Sequence, residues 1–398
     1  MADPEFRRVP PEDRVEFRRF VDYAFSPEAG PREYDGTESV PDRPGDRFGV
    51  YEDGDLRSVC ARYDFTVNCR GKWVPLAALA SGATMPEYRR QSYLGRLLSG
   101  CLEKCRGEYP LAALWPFDYG YYERFGWAVG SEITEYTCPP EQLAFGRDAP
   151  GTVRRLEPDD WPRLRAVDEV YARNRDLVVR RDEEWWRERI FRTGGGNERY
   201  VYGIERDGEL RAYVAYTVES DGGDRRIHAL YAAAADHEAR LGLLGFLSNH
   251  DSQVESVTLY RGGETSLLDL VSDPKAVDCE IHPGTMVRVV DVVDALSAVG
   301  YPDEVGGTLT MAVEDDTAAW NDGPFELSVS DGRGECRRVE EGDPDVRLDI
   351  GTLSQVLVGY HSVPEARRLA DLRVDDEAAA DRLAAWFPSR PVDPLDDF

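Results

Sequence analysis

Lysine is nearly absent: Lys72, Lys104 and Lys275 are the only ones in 398 residues, although lysine and arginine together number 48. Acidic residues number 76, for a formal net charge of −28. Without clustered Lys and Arg the chain has little means of neutralising a run of phosphates, which argues against nucleic acid and anionic membranes as partners. Also missing is any apolar run near the ~18 residues that cross a bilayer. The opening Met1-Ala2-Asp3-Pro4-Glu5-Phe6-Arg7 has no apolar core for a signal peptide, so the cytoplasm is the expected location. Histidine occurs only 5 times and Cys-x-x-Cys not at all; Cys60, Cys69, Cys101, Cys105, Cys138, Cys279 and Cys336 are scattered. Neither a metal site nor a structural disulfide is predicted. Cys101 and Cys105 could share a helix face, and a buried apolar role is the better reading of both.

A charge of −28 repels itself strongly in a compact state at low salt, whereas in molar salt the Debye length shrinks to ~3 Å and the cost nearly vanishes. The composition thus points to a halophilic source, its acidic residues spread over the surface as a hydration device rather than gathered as a binding motif. It does not by itself predict a cationic substrate. A chain of 398 residues, 41% of them hydrophobic, exceeds what one core supports and predicts two or three packed domains.

An internal repeat organises them. Phe48-Gly49-Val50-Tyr51-Glu52-Asp53-Gly54-Asp55-Leu56-Arg57 returns as Tyr202-Gly203-Ile204-Glu205-Arg206-Asp207-Gly208-Glu209-Leu210-Arg211. Each copy reads as strand, Asp-Gly turn, strand, a strong hairpin signal. In both, a further apolar strand (74–80; 227–234) leads into a leucine-rich helix (94–105; 241–247). Two homologous units are predicted, over 1–150 and 151–285. The turn before the second helix, Ala235-Asp236-His237-Glu238-Ala239-Arg240, is acidic, so the second copy is read as lacking a cofactor site. A third unit, 286–398, is predicted with strands at 287–293, 309–313, 325–329 and 346–350 and helices at 292–299 and 352–359.

The chemistry starts at Pro86-Glu87-Tyr88-Arg89-Arg90-Gln91-Ser92-Tyr93-Leu94-Gly95-Arg96-Leu97-Leu98. An apolar strand, 73–80, ends here in a basic turn at the start of a helix. Backbone N–H groups and the helix dipole would point at an incoming anion, with Arg89, Arg90 and Arg96 adding charge. A pyrophosphate suits such a site. The segment resembles the acyl-CoA pyrophosphate loop of the GNAT N-acetyltransferases, Arg-x-x-Gly-x-Gly/Ala before a helix. Arg89 and Arg90 take the arginine positions, Ser92 stands where the first glycine is usual and Leu94 where the second is, and Gly95 follows one place later.

Downstream, an apolar strand at 109–115 precedes Phe117-Asp118-Tyr119-Gly120-Tyr121-Tyr122-Glu123-Arg124-Phe125-Gly126-Trp127. Tyr-x-Arg-Phe-Gly-aromatic after a strand resembles the enhanced intracellular survival (Eis) branch of the GNAT enzymes. So do the total length, a second GNAT-like domain without a cofactor site, and a C-terminal sterol-carrier-type domain, with its Trp320-Asn321-Asp322-Gly323 turn, ending in phenylalanine, here Phe398. The resemblance implies an α/β (α+β) fold of two tandem GNAT-like mixed-sheet domains and a sterol-carrier-protein-like α+β domain. It also implies acetyl-CoA as cosubstrate and a homo-oligomer, and with the charge it implies a haloarchaeal member.

Acetyl transfer from a thioester to an amine needs a neutral amine, a stabilised oxyanion and a proton for the departing thiolate. By resemblance, Gly82, Ala83 and Thr84 end a splayed strand that binds pantetheine and the thioester oxygen. The diphosphate rests on Arg89, Arg90, Gln91, Ser92, Tyr93, Leu94 and Gly95, and Phe117 and Asp118 flank the reactive arm. Tyr122 is the implied general acid. A phenol of pKa ~10 keeps its proton at neutral pH yet can give it to a thiolate whose conjugate acid is ~8.5. Tyr119 and Tyr121 should point elsewhere, Tyr121 into core packing. The implied general base is the α-carboxylate of Phe398, acting through water or after partial desolvation, with its ring as an anchor. Asp396 or Asp397 could substitute.

The same resemblance implies primary amines as acceptors, on aminoglycosides, other cationic small molecules or lysine side chains of peptides. Asp182-Glu183-Glu184-Trp185-Trp186-Arg187 could line the acceptor cleft but is better read as an amphipathic core helix. Two other functions stay open: a non-catalytic CoA-binding sensor, which the Ser92 and Leu94 departures permit, and a lipid-binding protein using the last domain. For that domain, a packing module that delivers the C-terminus is the preferred reading.

Overall fold

A computed structural model describes residues 3–30, 34, 45–193, 198–340 and 342–398. They form two seven-stranded mixed sheets and a five-stranded one, the mixed α/β architecture expected. The first sheet runs, in spatial order, Glu5–Arg8, Asp46–Glu52, Asp55–Cys69, Lys72–Thr84, Leu111–Leu114, Met286–Val289, Ala128–Val129. The second runs Asp278–Pro283, Glu132–Cys138, Ser256–Gly262, Asp224–Ala234, Glu209–Asp221, Tyr200–Arg206, Thr152–Arg155.

The repeat is geometric as well as textual. Asp53 and Gly54 have φ of 52° and 91°, Asp207 and Gly208 53° and 82°. Both central residues of each turn are therefore left-handed, as a two-residue type I′ hairpin requires. In each large sheet one pair of central strands is parallel and only partly zipped. Lys72–Thr84 pairs with Leu111–Leu114 over Leu76–Leu79, and Asp224–Ala234 pairs with Ser256–Gly262 over Arg226–Ala229. Just beyond, each first strand slips against its antiparallel neighbour: Ala80 faces Ala61 but Ala83 faces Val59, and Ala229 faces Tyr216 but Tyr231 faces Ala215. The extra residue is a bulge, at Ser81-Gly82 in one sheet and Leu230 in the other. A bulge bends its strand and ends regular pairing, so each sheet opens into a V.

The sheets also exchange strands. Met286–Val289 pairs with Leu111–Leu114 and Ala128–Val129 of the first sheet, while Glu132–Cys138 pairs with Ser256–Gly262 and Asp278–Pro283 of the second. The sequence reading divides the chain at 150 and 285; the chain passes from the first sheet to the second between Val129 and Glu132, and back to the first between Pro283 and Met286. The apolar run 287–293 reads as a strand, and the strand formed is Met286–Val289; its four consecutive buried residues would suit any sheet interior, so nothing local names the partner.

Helix Tyr93–Cys105 lays Leu97, Leu98, Cys101, Leu102 and Cys105 on the first sheet, each buried leucine contributing about 1.5–3 kcal/mol. Both cysteines are buried free thiols. Helix His237–Ser248 packs equivalently on the second sheet. The third sheet, Arg333–Arg338, Gly323–Ser330, Gly307–Glu314, Val346–Asp349, Leu372–Arg373, packs with helices Val292–Ala298, Ile350–Leu357, Val363–Leu369 and Glu377–Trp386. A fully buried ion pair joins it to the first sheet: Arg288 Nη2 donates to both Asp315 oxygens at 2.8 and 2.6 Å.

Candidate active site

The first V is where the sequence motifs meet. Tyr122 sits on the short helix Tyr119–Glu123, which starts because the Asp118 carboxylate accepts the Tyr121 N–H at 3.0 Å. Tyr122 is 5% exposed, and a Cβ built on Gly82 would lie 3.8 Å from its hydroxyl and 3.8 Å from Leu94 Cδ1. The phenol thus stands over the bulge, beside the first turn of helix Tyr93–Cys105. Its hydroxyl has no hydrogen-bond partner among the described residues, and burial pushes its pKa above the ordinary phenol value, so the phenol keeps its proton. Phe117, 67% exposed, leans edge-on against Tyr122 with ring centroids 5.3 Å apart. Tyr121 packs on Phe117 and Phe125, and Tyr119 donates to the Pro283 carbonyl at 2.8 Å. Neither neighbouring tyrosine shares Tyr122's position.

Glycines of these motifs make room for side chains. A Cβ on Gly95 would lie 2.8 Å from the Phe125 ring, and one on Gly126 would lie 2.0 Å from Arg288 Nη1. Gly95 therefore serves packing of the loop helix on the Tyr-x-Arg-Phe-Gly string, a role distinct from the phosphate contact implied for it.

Arg89, Arg90, Gln91 and Ser92 are exposed, while Tyr93 is buried, its hydroxyl donating to Glu52 at 2.7 Å. Arg90 and Ser92 have φ of 61° and 63°, so the backbone keeps the left-handed turn a glycine would make without strain. Ser92 leaves the helix start without a side-chain cap or an acidic residue in its first turn, and the N–H groups of that turn remain available to an anion. Arg89 donates to the Thr84 carbonyl at 3.0 Å, tying loop to bulged strand. Arg89, Arg90 and Arg96 have no carboxylate partner among the described residues, in a chain whose arginines pair widely with Asp and Glu. Ala83 and Thr84 are held on the other side by Ser58, whose hydroxyl lies 3.1 Å from the Ala83 carbonyl and 2.8 Å from Thr84 Oγ1.

The second copy differs at the same place. Asp236 caps helix His237–Ser248, accepting the Ala239 N–H at 2.9 Å, and is itself paired with Arg206 and Arg211. A carboxylate of the chain already holds that helix N-terminus.

The C-terminal segment packs between strands of the first sheet and side chains of residues 168–185. The Phe398 ring packs edge-on against Phe65 and Tyr63, centroids 5.4 and 6.3 Å away, on a strand of the first sheet. Two residues upstream, Asp396 accepts from Arg181 and Trp185, and its carbonyl accepts from Trp115 Nε1 at 3.2 Å. Trp115 directly follows the strand that diverges at the first V. Asp396, with both oxygens engaged, is not free to act as a base, whereas Asp397 is exposed. Trp186 is wholly buried, as the core reading of 182–187 expects, and the helix there runs from an α turn, Glu183–Trp185, straight into a π turn, Trp186–Ile190. Arg181 carries no motif, and Trp185 and Trp115 read only as core-helix and strand residues; their partner lies more than 200 residues away in sequence, beyond local pattern.

Residues 5–130 match the acetyltransferase (GNAT) domain model, residues 177–289 a second acetyltransferase (GNAT) domain model, and residues 292–392 the sterol carrier protein domain model. The chain is 28% identical over 335 residues to N-acetyltransferase Eis of Mycobacterium tuberculosis, covering 79% of each. It is 28% identical over 405 residues to an uncharacterized N-acetyltransferase of Streptomyces griseus, covering 94% of each. Among solved structures it resembles a probable N-acyltransferase of Enterococcus faecalis (TM-score 0.87, 22% identity, 100% of both chains). It also resembles Eis1 of Mycobacterium abscessus (TM-score 0.77, 21% identity, 99% of this chain and 100% of that one). With two GNAT domains, a terminal sterol carrier domain and relatives named as N-acetyltransferases, the chain is an acetyltransferase of GNAT type.

Proposed function

We propose that the chain is an Eis-type N-acetyltransferase that moves the acetyl group of acetyl-CoA to a primary amine of a cationic small molecule or a lysine side chain. The observation that carries the proposal is the placement of the Tyr122 hydroxyl over the bulge at Ser81-Gly82. There the parallel strands separate, and an uncapped, arginine-flanked helix N-terminus adjoins the gap. The helix start and Arg90 and Arg96 suit a diphosphate. The bulged strand frees backbone N–H groups for a pantetheine arm and a developing oxyanion. Tyr122 holds the proton for the departing thiolate, since a phenol raised by burial stays protonated through neutral pH. The Phe398 carboxylate takes the amine proton, directly or through water. A haloarchaeal, cytoplasmic, homo-oligomeric enzyme is part of the same proposal, resting on the charge of −28 and the Eis likeness.

Thiol release from acetyl-CoA in multimolar KCl, with aminoglycosides, polyamines and lysine peptides as acceptors, tests it. Amine-dependent turnover that falls on Tyr122→Phe and on deletion of Phe398 is the expected result. Turnover indifferent to the deletion sinks the terminal base, and no turnover with any amine sinks the acceptor class.

A further inference from the structure

The second sheet has the same V as the first, and the chain fills it with its own C-terminus. A cavity of about 210 Å³ remains there, bounded by Leu230 and Tyr231 on one arm, Tyr260 and Gly262 on the other, and the 393–397 segment across the opening. The fit is close: a Cβ on Gly262 would lie 2.6 Å from the Val392 carbonyl oxygen and 2.9 Å from Pro394 Cδ. The tail is fastened first by backbone, Asp176 N–H to the Pro391 carbonyl at 2.9 Å and Asp393 N–H to the Asp176 carbonyl at 2.8 Å. Tyr171 then donates to the Asp393 carboxylate at 2.7 Å. The last grip is on Asp396. Arg181 meets it with two parallel bonds, Nε to Oδ2 at 2.7 Å and Nη2 to Oδ1 at 2.6 Å, and Trp185 Nε1 adds a third at 2.6 Å. Arg181 is anchored in turn by Asp168, which also accepts from Tyr213 at 2.7 Å. Asp397 and Phe398 follow this clamp directly.

We infer that the V of the second domain is a receptor for the chain's own tail, and that Arg181 is the positioning residue that fixes the Phe398 carboxylate beside the first domain. A planar guanidinium bonded to both oxygens sets the direction of Asp396 as well as its place, leaving two residues to carry that direction to the chain end. Trp115, bonded to the Asp396 carbonyl, links the clamp to the strand end at the first V. The inference rests on the proposed role of Phe398 for its catalytic meaning, but the clamp is testable without it.

The experiment compares intact protein with Arg181→Met, Arg181→Lys and the milder Asp396→Asn, each confirmed folded by its near-UV circular dichroism. Release of Phe398 by carboxypeptidase, followed by mass spectrometry, reads the order of the tail. Steady-state kinetics read its use. Release at least tenfold faster in Arg181→Met and Asp396→Asn, with kcat falling and KM for acetyl-CoA unchanged, supports the inference. Arg181→Lys, which keeps the charge but loses the fork, should lie between. Combining Arg181→Met with truncation after Pro394 should cost no more turnover than truncation alone. Phe398 released at the intact rate from folded Arg181→Met and Asp396→Asn overturns the clamp. Faster release with turnover unchanged upholds the clamp and overturns the terminal base.

Discussion

Ser92 shows how a departure from a motif can leave its geometry standing. Its φ of 63° is the conformation a motif glycine would adopt, and a residue with a Cβ held there loses roughly 1–2 kcal/mol. Part of that is recovered because serine is less flexible than glycine when unfolded. Ser92→Gly should therefore raise stability by about 0.5–1 kcal/mol in urea unfolding, with affinity for CoA little changed. Tyr122, the proposed general acid, makes the opposite case. Since its hydroxyl has no partner among the described residues, Tyr122→Phe should leave the unfolding midpoint almost unmoved while lowering kcat by about 10²-fold or more. The direction of its pKa shift, upward through burial, carries a sign for activity. A general acid works while protonated, so the alkaline limb due to Tyr122 should lie above pH ~10, the ordinary phenol value, and vanish in the phenylalanine variant. Any inflection near pH 7 belongs to another group.

At the scale of elements, the two helix N-termini are a natural control for one another. One is uncapped, flanked by arginines without a carboxylate partner among the described residues, and open; the other is closed by Asp236. Arg90→Ala with Arg96→Ala should raise KM for acetyl-CoA about tenfold at low salt with kcat little changed, the mark of an interaction equal in ground and transition states. The effect should shrink in molar KCl as exposed charges are screened. Asp236→Ala should cost about 1 kcal/mol as a lost cap without changing acetyl-CoA kinetics. Elements of this kind were legible because their signals are short: Asp-Gly between alternating strands, arginines before a leucine-spaced helix, the Tyr-x-Arg-Phe-Gly string. The bulges were not, since a bulge is a register slip between strands. Nor was the packing duty of Gly95, because its partner Phe125 is set by how helix and string cross.

The whole molecule carries its charge as a liability that salt removes. With a net charge of −28, repulsion acts across ~10 Å at 0.1 M salt and ~3 Å at 1 M, so the thermal midpoint should climb steeply from 0.1 M KCl to multimolar KCl. A flat dependence would argue that the surface ion pairs already balance the field. The tail clamp was invisible in sequence for a related reason of scale: Arg181 and Asp396 belong to the second repeat and the chain end, and only the assembled molecule brings them together. The exchange of strands between sheets has a consequence for how the protein is made. The first sheet needs Met286–Val289 to separate Leu111–Leu114 from Ala128–Val129, so a nascent chain leaving the ribosome cannot complete that sheet until every strand of the second sheet has been synthesised. Such long-range pairing slows folding. Until residue 289 emerges, the edges of Leu111–Leu114 and Ala128–Val129 stand open to pairing with a neighbouring nascent chain.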